Sequence, residues 1–307
     1  MTVAVDDAGR AVAVLTVPTS AERARSARRR LRWWKEAGAL GVAALVLIWT
    51  LVPVYNIFMV ALESKGDVFT DTIWPAKPSA DSFWIVITQG YWYLEHFWHQ
   101  FGNSVYIGVG TVFFTLAIGS LASFAIGRMR IRYGWLLSNA ALLTYVIPAS
   151  FLAIPFYRIM QIYGLTNNLW SVIAAEVTFA TPYAIFIFQQ YGVSIPIELD
   201  EAARIDGASP FQVYRKIYLP LMAPALVAVG TYALLLAWNE YLYQFLLLSS
   251  KESMSVPVAL AQFLNSDEAP WNYMMATAIV YAIPPVAIYY VFRRRMSAGL
   301  TMGGVKG

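Results

Sequence analysis

Residues 195–224 read Ile195-Pro-Ile-Glu-Leu-Asp-Glu-Ala-Ala-Arg-Ile-Asp-Gly-Ala-Ser-Pro-Phe-Gln-Val-Tyr-Arg-Lys-Ile-Tyr-Leu-Pro-Leu-Met-Ala-Pro224. Pro196 suits the first turn of a helix, where its missing N–H costs nothing. Glu198, Asp200 and Glu201 favour the positive end of that helix. Asp200 and Arg204 stand at i, i+4 with the acid first, the better order for an ion pair. Gly207 supplies a left-handed stop. Ser209 then caps a second helix, Pro210 fits its first position, and Gln212 completes a Ser-x-x-Gln capping box. That helix runs to about Tyr218, and Pro220 and Pro224 mark the turn into whatever follows. The spacing predicts two short helices at an angle, joined by a tight glycine turn. Ala202 and Ala203 leave room for a close approach, Glu201 offers a charge, and Phe211, Tyr214 and Ile217 offer apolar contact. The alternative is an amphipathic loop lying on a bilayer. It requires neither Gly207 nor the capping box, and an acidic face is repelled by anionic headgroups.

On both sides of this segment the chain is apolar. Of its 307 residues, 59% are hydrophobic and 13% charged, against about 25% charged in a soluble domain. Disorder and a soluble enzyme of this length are excluded. There are no cysteines and two histidines, so disulfides, thiolate zinc sites and most histidine-based catalysis are excluded as well. A net charge of +4 does not call for a nucleic-acid partner. A spanning helix needs about 20 mostly apolar residues. Six runs qualify, at roughly 38–62, 102–126, 134–157, 169–191, 219–247 and 271–292. The expectation is an all-α integral membrane protein: a cytoplasmic basic tail over 1–36, one transmembrane domain over 37–296 with the loop at about 195–218, and a short tail over 297–307.

Charge orients the spans. With a cytoplasmic N-terminus, eighteen of the 22 lysines and arginines fall on the inside, leaving Lys65, Lys77, Arg158 and Lys251 outside. Both termini and the 195–218 loop are therefore expected in the cytoplasm. Trp33, Trp34, Trp135, Trp170 and Trp271 sit at span ends, where indoles prefer the headgroup zone. The basic run at 23–35 reads as an inside anchor on a loose tail contacting membrane lipid, not as a nucleic-acid patch or a cleavable signal. Segments 63–100 and 249–270 are expected outside. His96 and His99 stand three apart near Glu95. They read as wet tips of an interfacial helix rather than a metal face.

The loop also carries a resemblance. Glu201-Ala-Ala-Arg-Ile-Asp-Gly207, nine further residues, then Ile217-Tyr-Leu-Pro220 resembles the EAA loop of permease subunits in binding-protein-dependent ABC importers. Residues 299–307, Gly-Leu-Thr-Met-Gly-Gly-Val-Lys-Gly, are similar to the tail of maltose-type sugar permeases, the smaller of the two permease kinds. Asn103-Ser104 and Trp238-Asn239-Glu240 look like that group too. The resemblance implies a MetI-like fold in the bacterial inner membrane, forming half of a pore with a second, different permease subunit. It implies two ABC ATPase subunits, which bind ATP and Mg, and an external solute-binding protein. It places ATPase coupling on Glu201, Ala202, Ala203, Asp206, Gly207, Phe211, Ile217, Leu219 and Pro220, with a further contact at Gly303, Gly304, Val305 and Lys306. The chain itself lacks a phosphate-binding Gly-x-x-x-x-Gly-Lys loop, since Val305 stands where lysine is needed, so it is expected to hold no nucleotide and no metal.

Acids inside a bilayer need a reason. Glu176 and Glu240 lie at similar depth within the fourth and fifth runs. With Asn239 and Tyr243 they are candidates for a solute path; a sugar suits polar and aromatic groups. Another small polar solute (a polyol, a sugar derivative, glycerol phosphate) fits the same residues. A stand-alone secondary transporter leaves the EAA pattern unexplained.

Overall fold

The computed structural model describes residues 2–5, 11–14, 20–64, 73–129, 131–265 and 269–301. It divides into two compact units, Met1–Ile57 and Phe58–Gly307. In the first, strands β1 (Thr2–Val5) and β2 (Ala11–Val14) pair antiparallel, Thr2 opposite Val14. Both strands alternate valine with small residues, a pattern that suits strand pairing. The N-terminal segment is thus not wholly a loose tail. Helix α1 (Ser20–Leu62) is continuous through the basic run and the first expected span. Its Arg32–Leu62 portion is long and apolar enough to cross a membrane. Arg32 Nε donates to Glu36 at 2.8 Å within its exposed face.

The second unit begins with the last turn of α1 and continues with α2 (Asp81–Thr88) and α3 (Phe97–Arg128). A short 3-10 turn at Trp92–Leu94 precedes α3. Then come α4 (Gly134–Leu143), α5 (Ala149–Ile162) and α6 (Leu169–Gly192). The loop read above forms α7 (Glu198–Ile205) and α8 (Pro210–Val213), a π-helical turn at Tyr214–Tyr218, and α9 (Leu219–Leu221). The chain closes with α10 (Ala223–Asn239), α11 (Leu242–Leu247), α12 (Val256–Gln262) and α13 (Trp271–Thr301).

The centre of this unit is α3 packed along α6, with α10 against both and α13 against α10. Small residues let the backbones approach closely, as membrane helices require. A Cβ on Gly119 of α3 would lie 2.9 Å from the Ala184 Cβ of α6. At the α10–α13 contact the Trp238 and Tyr281 rings stack at 4.7 Å. The Trp238 indole donates to the Tyr281 carbonyl, and the Tyr281 hydroxyl donates to the Trp238 carbonyl.

Two expected spans are not single helices. The run at 134–157 breaks at a 3-10 turn, Thr144–Val146, and its halves meet at 101°. Pro148 is the cause: it disfavours helical backbone at Ile147, which is extended at φ −88°, ψ 118°. The run at 219–247 ends its helix at Asn239 and restarts at Leu242. Pro210–Leu221 bends 78° into α10. Among the described residues four helices are long and apolar enough to span, or up to six if each bent pair is one crossing. Helix α3 also starts at Phe97, earlier than expected, with His96 just before it. No cluster of three metal-ligating side chains exists among the described residues.

Candidate functional site

The knob at 198–221 is built as its local chemistry dictates. Three acids sit in the first turn of α7, where the helix dipole favours them. Gly207 ends the helix at φ +84°. Its N–H donates to the Arg204 carbonyl at 3.0 Å, and the Ala208 N–H donates to the Ala203 carbonyl at 2.9 Å. These two bonds make a Schellman closure. Nothing lies within 4 Å of a Cβ placed on Gly207, so the glycine is there for its backbone angle alone. The capping box is complete: the Gln212 N–H donates to Ser209 Oγ, and the Ser209 N–H donates to Gln212 Oε1 at 2.7 Å.

The knob has a fixed back and an open front. On the back, Val213, Tyr214 and Tyr218 are buried in a cluster with Phe124 of α3 and Ala184 and Phe188 of α6. Tyr214 shares a hydrogen bond with Ser120 at 2.8 Å, and Tyr218 with Ser123 at 3.1 Å. Arg128, at the end of α3, is buried and donates to the carbonyls of Gly192 and Ile195 at 2.9 and 2.7 Å. It also pairs with buried Asp200. On the front, Glu201, Ala202, Asp206, Gly207 and Pro220 are exposed. Ile205 is 86% and Phe211 61% exposed, a large apolar offering for residues in a loop. Ala203, Ile217 and Leu219 are half-buried against the cluster.

Sequence reasoning missed Arg128 and Ile205. In the sequence Arg128 is one inside charge among many, and the i, i+4 spacing pairs Asp200 with Arg204. In the structure Asp200 pairs with Arg128, and the Arg204 guanidinium reaches the Arg128 carbonyl at 3.4 Å. Gly303, Gly304, Val305 and Lys306 lie outside the described residues.

A second site lies between the two broken helices. A cavity of about 270 Å³ is lined by Glu176 of α6, Tyr145 and Ala149 beside the α4–α5 break, and Glu240 and Tyr243 at the α10–α11 break. Glu240 is extended, and its carboxylate accepts the Tyr243 N–H at 2.8 Å and the Gln244 N–H at 3.0 Å. It therefore caps α11. Tyr243 is buried, and its hydroxyl donates to the Ala149 carbonyl at 2.7 Å. This bond holds one break against the other. Asn239 does not line the cavity. It is exposed and bonds back to the Leu235 carbonyl at 2.8 Å.

At the opposite end of α3, Asn103 fixes the 249–265 segment. Its amide donates to the carbonyls of Glu252 and Met254 at 2.6 and 2.9 Å. Ser104 Oγ accepts the Val256 N–H at 3.1 Å. Ser255 Oγ bonds to Gln244, tying the same segment to α11.

Comparison with known proteins gives this geometry a context. The sequence matches the family described as "binding-protein-dependent transport system inner membrane component" over residues 108–301. It is 33% identical over 281 residues to the trehalose transport system permease protein SugB of Mycobacterium tuberculosis, covering 91% of this chain and 99% of that protein. It is 29% identical over 272 residues to the arabinooligosaccharides transport system permease protein AraQ of Halalkalibacterium halodurans, covering 87% and 95%. The backbone resembles a chain in the crystal structure of a bacterial ABC transporter involved in the import of the acidic polysaccharide alginate. The TM-score there is 0.70 at 22% identity, covering 91% of this chain and 99% of that one, a likeness of fold. By its sequence the chain belongs to the family of inner membrane components of binding-protein-dependent transport systems, and both of these relatives are permease proteins.

Proposed function

We propose that this chain forms half of the translocation pore of an ATP-driven carbohydrate importer, beside a second, different permease subunit. Two ABC ATPase subunits, which hold ATP and Mg, engage the front of the knob, and an external solute-binding protein delivers the solute. Both termini and the knob lie on the cytoplasmic side in this reading, which the distribution of basic residues supports. Residues 303–306 supply a further ATPase contact. The carbohydrate assignment is supported by relatives named for trehalose and arabino-oligosaccharides.

One observation carries the coupling: a two-helix knob with an exposed apolar and acidic front is bonded through a buried back to α3 and α6. A load applied to Ile205 or Phe211 does not dissipate in a flexible loop. It passes through Arg128, Tyr214 and Tyr218 into the two central helices, as a rigid-body movement requires. Those helices carry Glu176, which faces the cavity, and Asn103, which holds the 249–265 segment. Nucleotide-driven motion of the ATPases is thereby converted into a change at the solute path and at the opposite face.

Co-purification tests this reading. Tagged chain extracted from its native membrane is expected to bring down an ATPase and a second permease, and the purified chain alone in proteoliposomes is expected to move no sugar. Uptake by the isolated chain at the rate of the assembled complex would falsify the proposal.

A further inference from the structure

We infer that the cavity between the two broken helices is a subsite for one neutral sugar ring, with Glu176 as its hydroxyl-binding group. The inference rests on the carbohydrate-importer reading and deepens it. Glu176 is 1% exposed, and among the described residues neither of its carboxyl oxygens has a hydrogen-bond partner. A buried carboxyl left unpaired is costly unless something supplies the missing donors. Its neighbour across the cavity is different, because Glu240 has both oxygens occupied by backbone N–H groups. The two acids thus divide the work: Glu240 holds the break open, and Glu176 is left to bind.

The remaining walls fit a sugar. Tyr145, Phe179, Tyr232 and Tyr243 line the cavity. The hydroxyls of Tyr145 and Tyr243 are committed to the carbonyls of Phe179 and Ala149. These tyrosines therefore present ring surface rather than donors, which suits the C–H face of a pyranose. A volume of about 270 Å³ falls just below the roughly 300–1,000 Å³ of a drug-sized site and suits one ring. No lysine, arginine or histidine lines it among the described residues. With no cation to pair it, the charge of a uronate or a sugar phosphate is disfavoured in so buried a place.

The test uses the complete importer with its binding protein in proteoliposomes, and trehalose and other neutral disaccharides as probes. In the complex carrying Glu176→Leu the KM for uptake rises about tenfold, as expected for losing the hydrogen bonds of a buried carboxyl group. In Glu176→Gln, which keeps one acceptor oxygen, the rise is smaller. An unchanged KM in both assembled variants overturns the subsite and leaves the importer reading intact, since uptake persists. Failure of the near-isosteric Glu176→Gln chain to assemble also overturns it, because the group is then structural. Uptake of glucuronic acid or a sugar phosphate in place of neutral sugars overturns the stated chemistry. Uptake of no sugar by the unsubstituted complex overturns the carbohydrate reading itself.

Discussion

Arg128 Nη1 lies 3.4 Å from Asp200 Oδ2, with the two side chains 6% and 2% exposed, and the pair joins the last residue of α3 to the first turn of α7. The same guanidinium bonds to the Gly192 carbonyl at the end of α6 and to the Ile195 carbonyl just beyond it. One side chain therefore ties three elements together, beside the hydrogen bonds of Tyr214 and Tyr218 to α3.

Removing Arg128 leaves Asp200 and two carbonyls unpaired in a buried place, whereas removing Asp200 leaves Arg128 still satisfied by the carbonyls. Breaking a buried pair costs about 3–5 kcal/mol. Arg128→Ala should sit at the upper end of that range and Asp200→Ala well below it. Arg128→Lys should recover little, because the compact ammonium lacks the planar fork that reaches two carbonyls and a carboxylate placed apart. Thermal unfolding of the purified complex checks the order. Equal losses in the two alanine variants contradict this account of two carbonyls and one ion pair on Arg128.

Gly207 makes a separate prediction, because its open surroundings isolate the backbone effect. A left-handed residue with a Cβ costs about 1–2 kcal/mol. Asparagine tolerates the angle and should retain coupled ATPase activity. Alanine should weaken coupling mildly, and valine, which is β-branched, should abolish it while the chain still inserts. Solute-stimulated ATPase in the assembled importer ranks the three. If Gly207→Val couples normally, the left-handed turn is not what fixes the knob's angle.

The parts legible in the sequence are those governed by near neighbours. Gly207, Ser209 and Gln212 specify a turn and a cap within a few residues, and the structure forms them, whereas Pro196 lies just before α7 and not in its first turn. The apolar runs locate the membrane helices for the same reason. The helix breaks were hidden because apolar composition has no period that registers a bend. Pro148 stood in view, but a proline inside a membrane run either kinks or ends a helix according to its packing. In the sequence Glu240 stands as an acid within an apolar run, a candidate for the solute path. Its role as a cap appears only once Asn239 ends the helix, so its neighbour Asn239 turned away from the cavity. The Arg128–Asp200 pair joins residues distant in sequence, and no local spacing could separate it from the Asp200–Arg204 alternative.

Glu240→Gln should destabilise the α10–α11 break, since an amide retains only one of the two acceptor oxygens that hold the Tyr243 and Gln244 N–H groups. Loss of a helix cap costs about 0.5–2 kcal/mol, and a glutamine should forfeit about half of that. Glu240→Ala should forfeit all of it. Hydrogen exchange at the amides of Tyr243 and Gln244 reads the effect directly. Protection unchanged in Glu240→Ala contradicts the capping role.

Close packing of α3 on α6 gives a paired test. A Cβ on Gly119 would meet the Ala184 Cβ at 2.9 Å and the Phe188 ring at 3.3 Å, too near for either helix to stay in place. Gly119→Ala should destabilise the unit by about 1–3 kcal/mol, the usual penalty for overpacking. The double variant Gly119→Ala with Ala184→Gly moves the methyl group to the other helix and should restore most of the loss, since the total volume at the contact is unchanged. Thermal unfolding of the two variants measures it. A double variant as unstable as the single one means that Phe188, not Ala184, sets the distance between the helices.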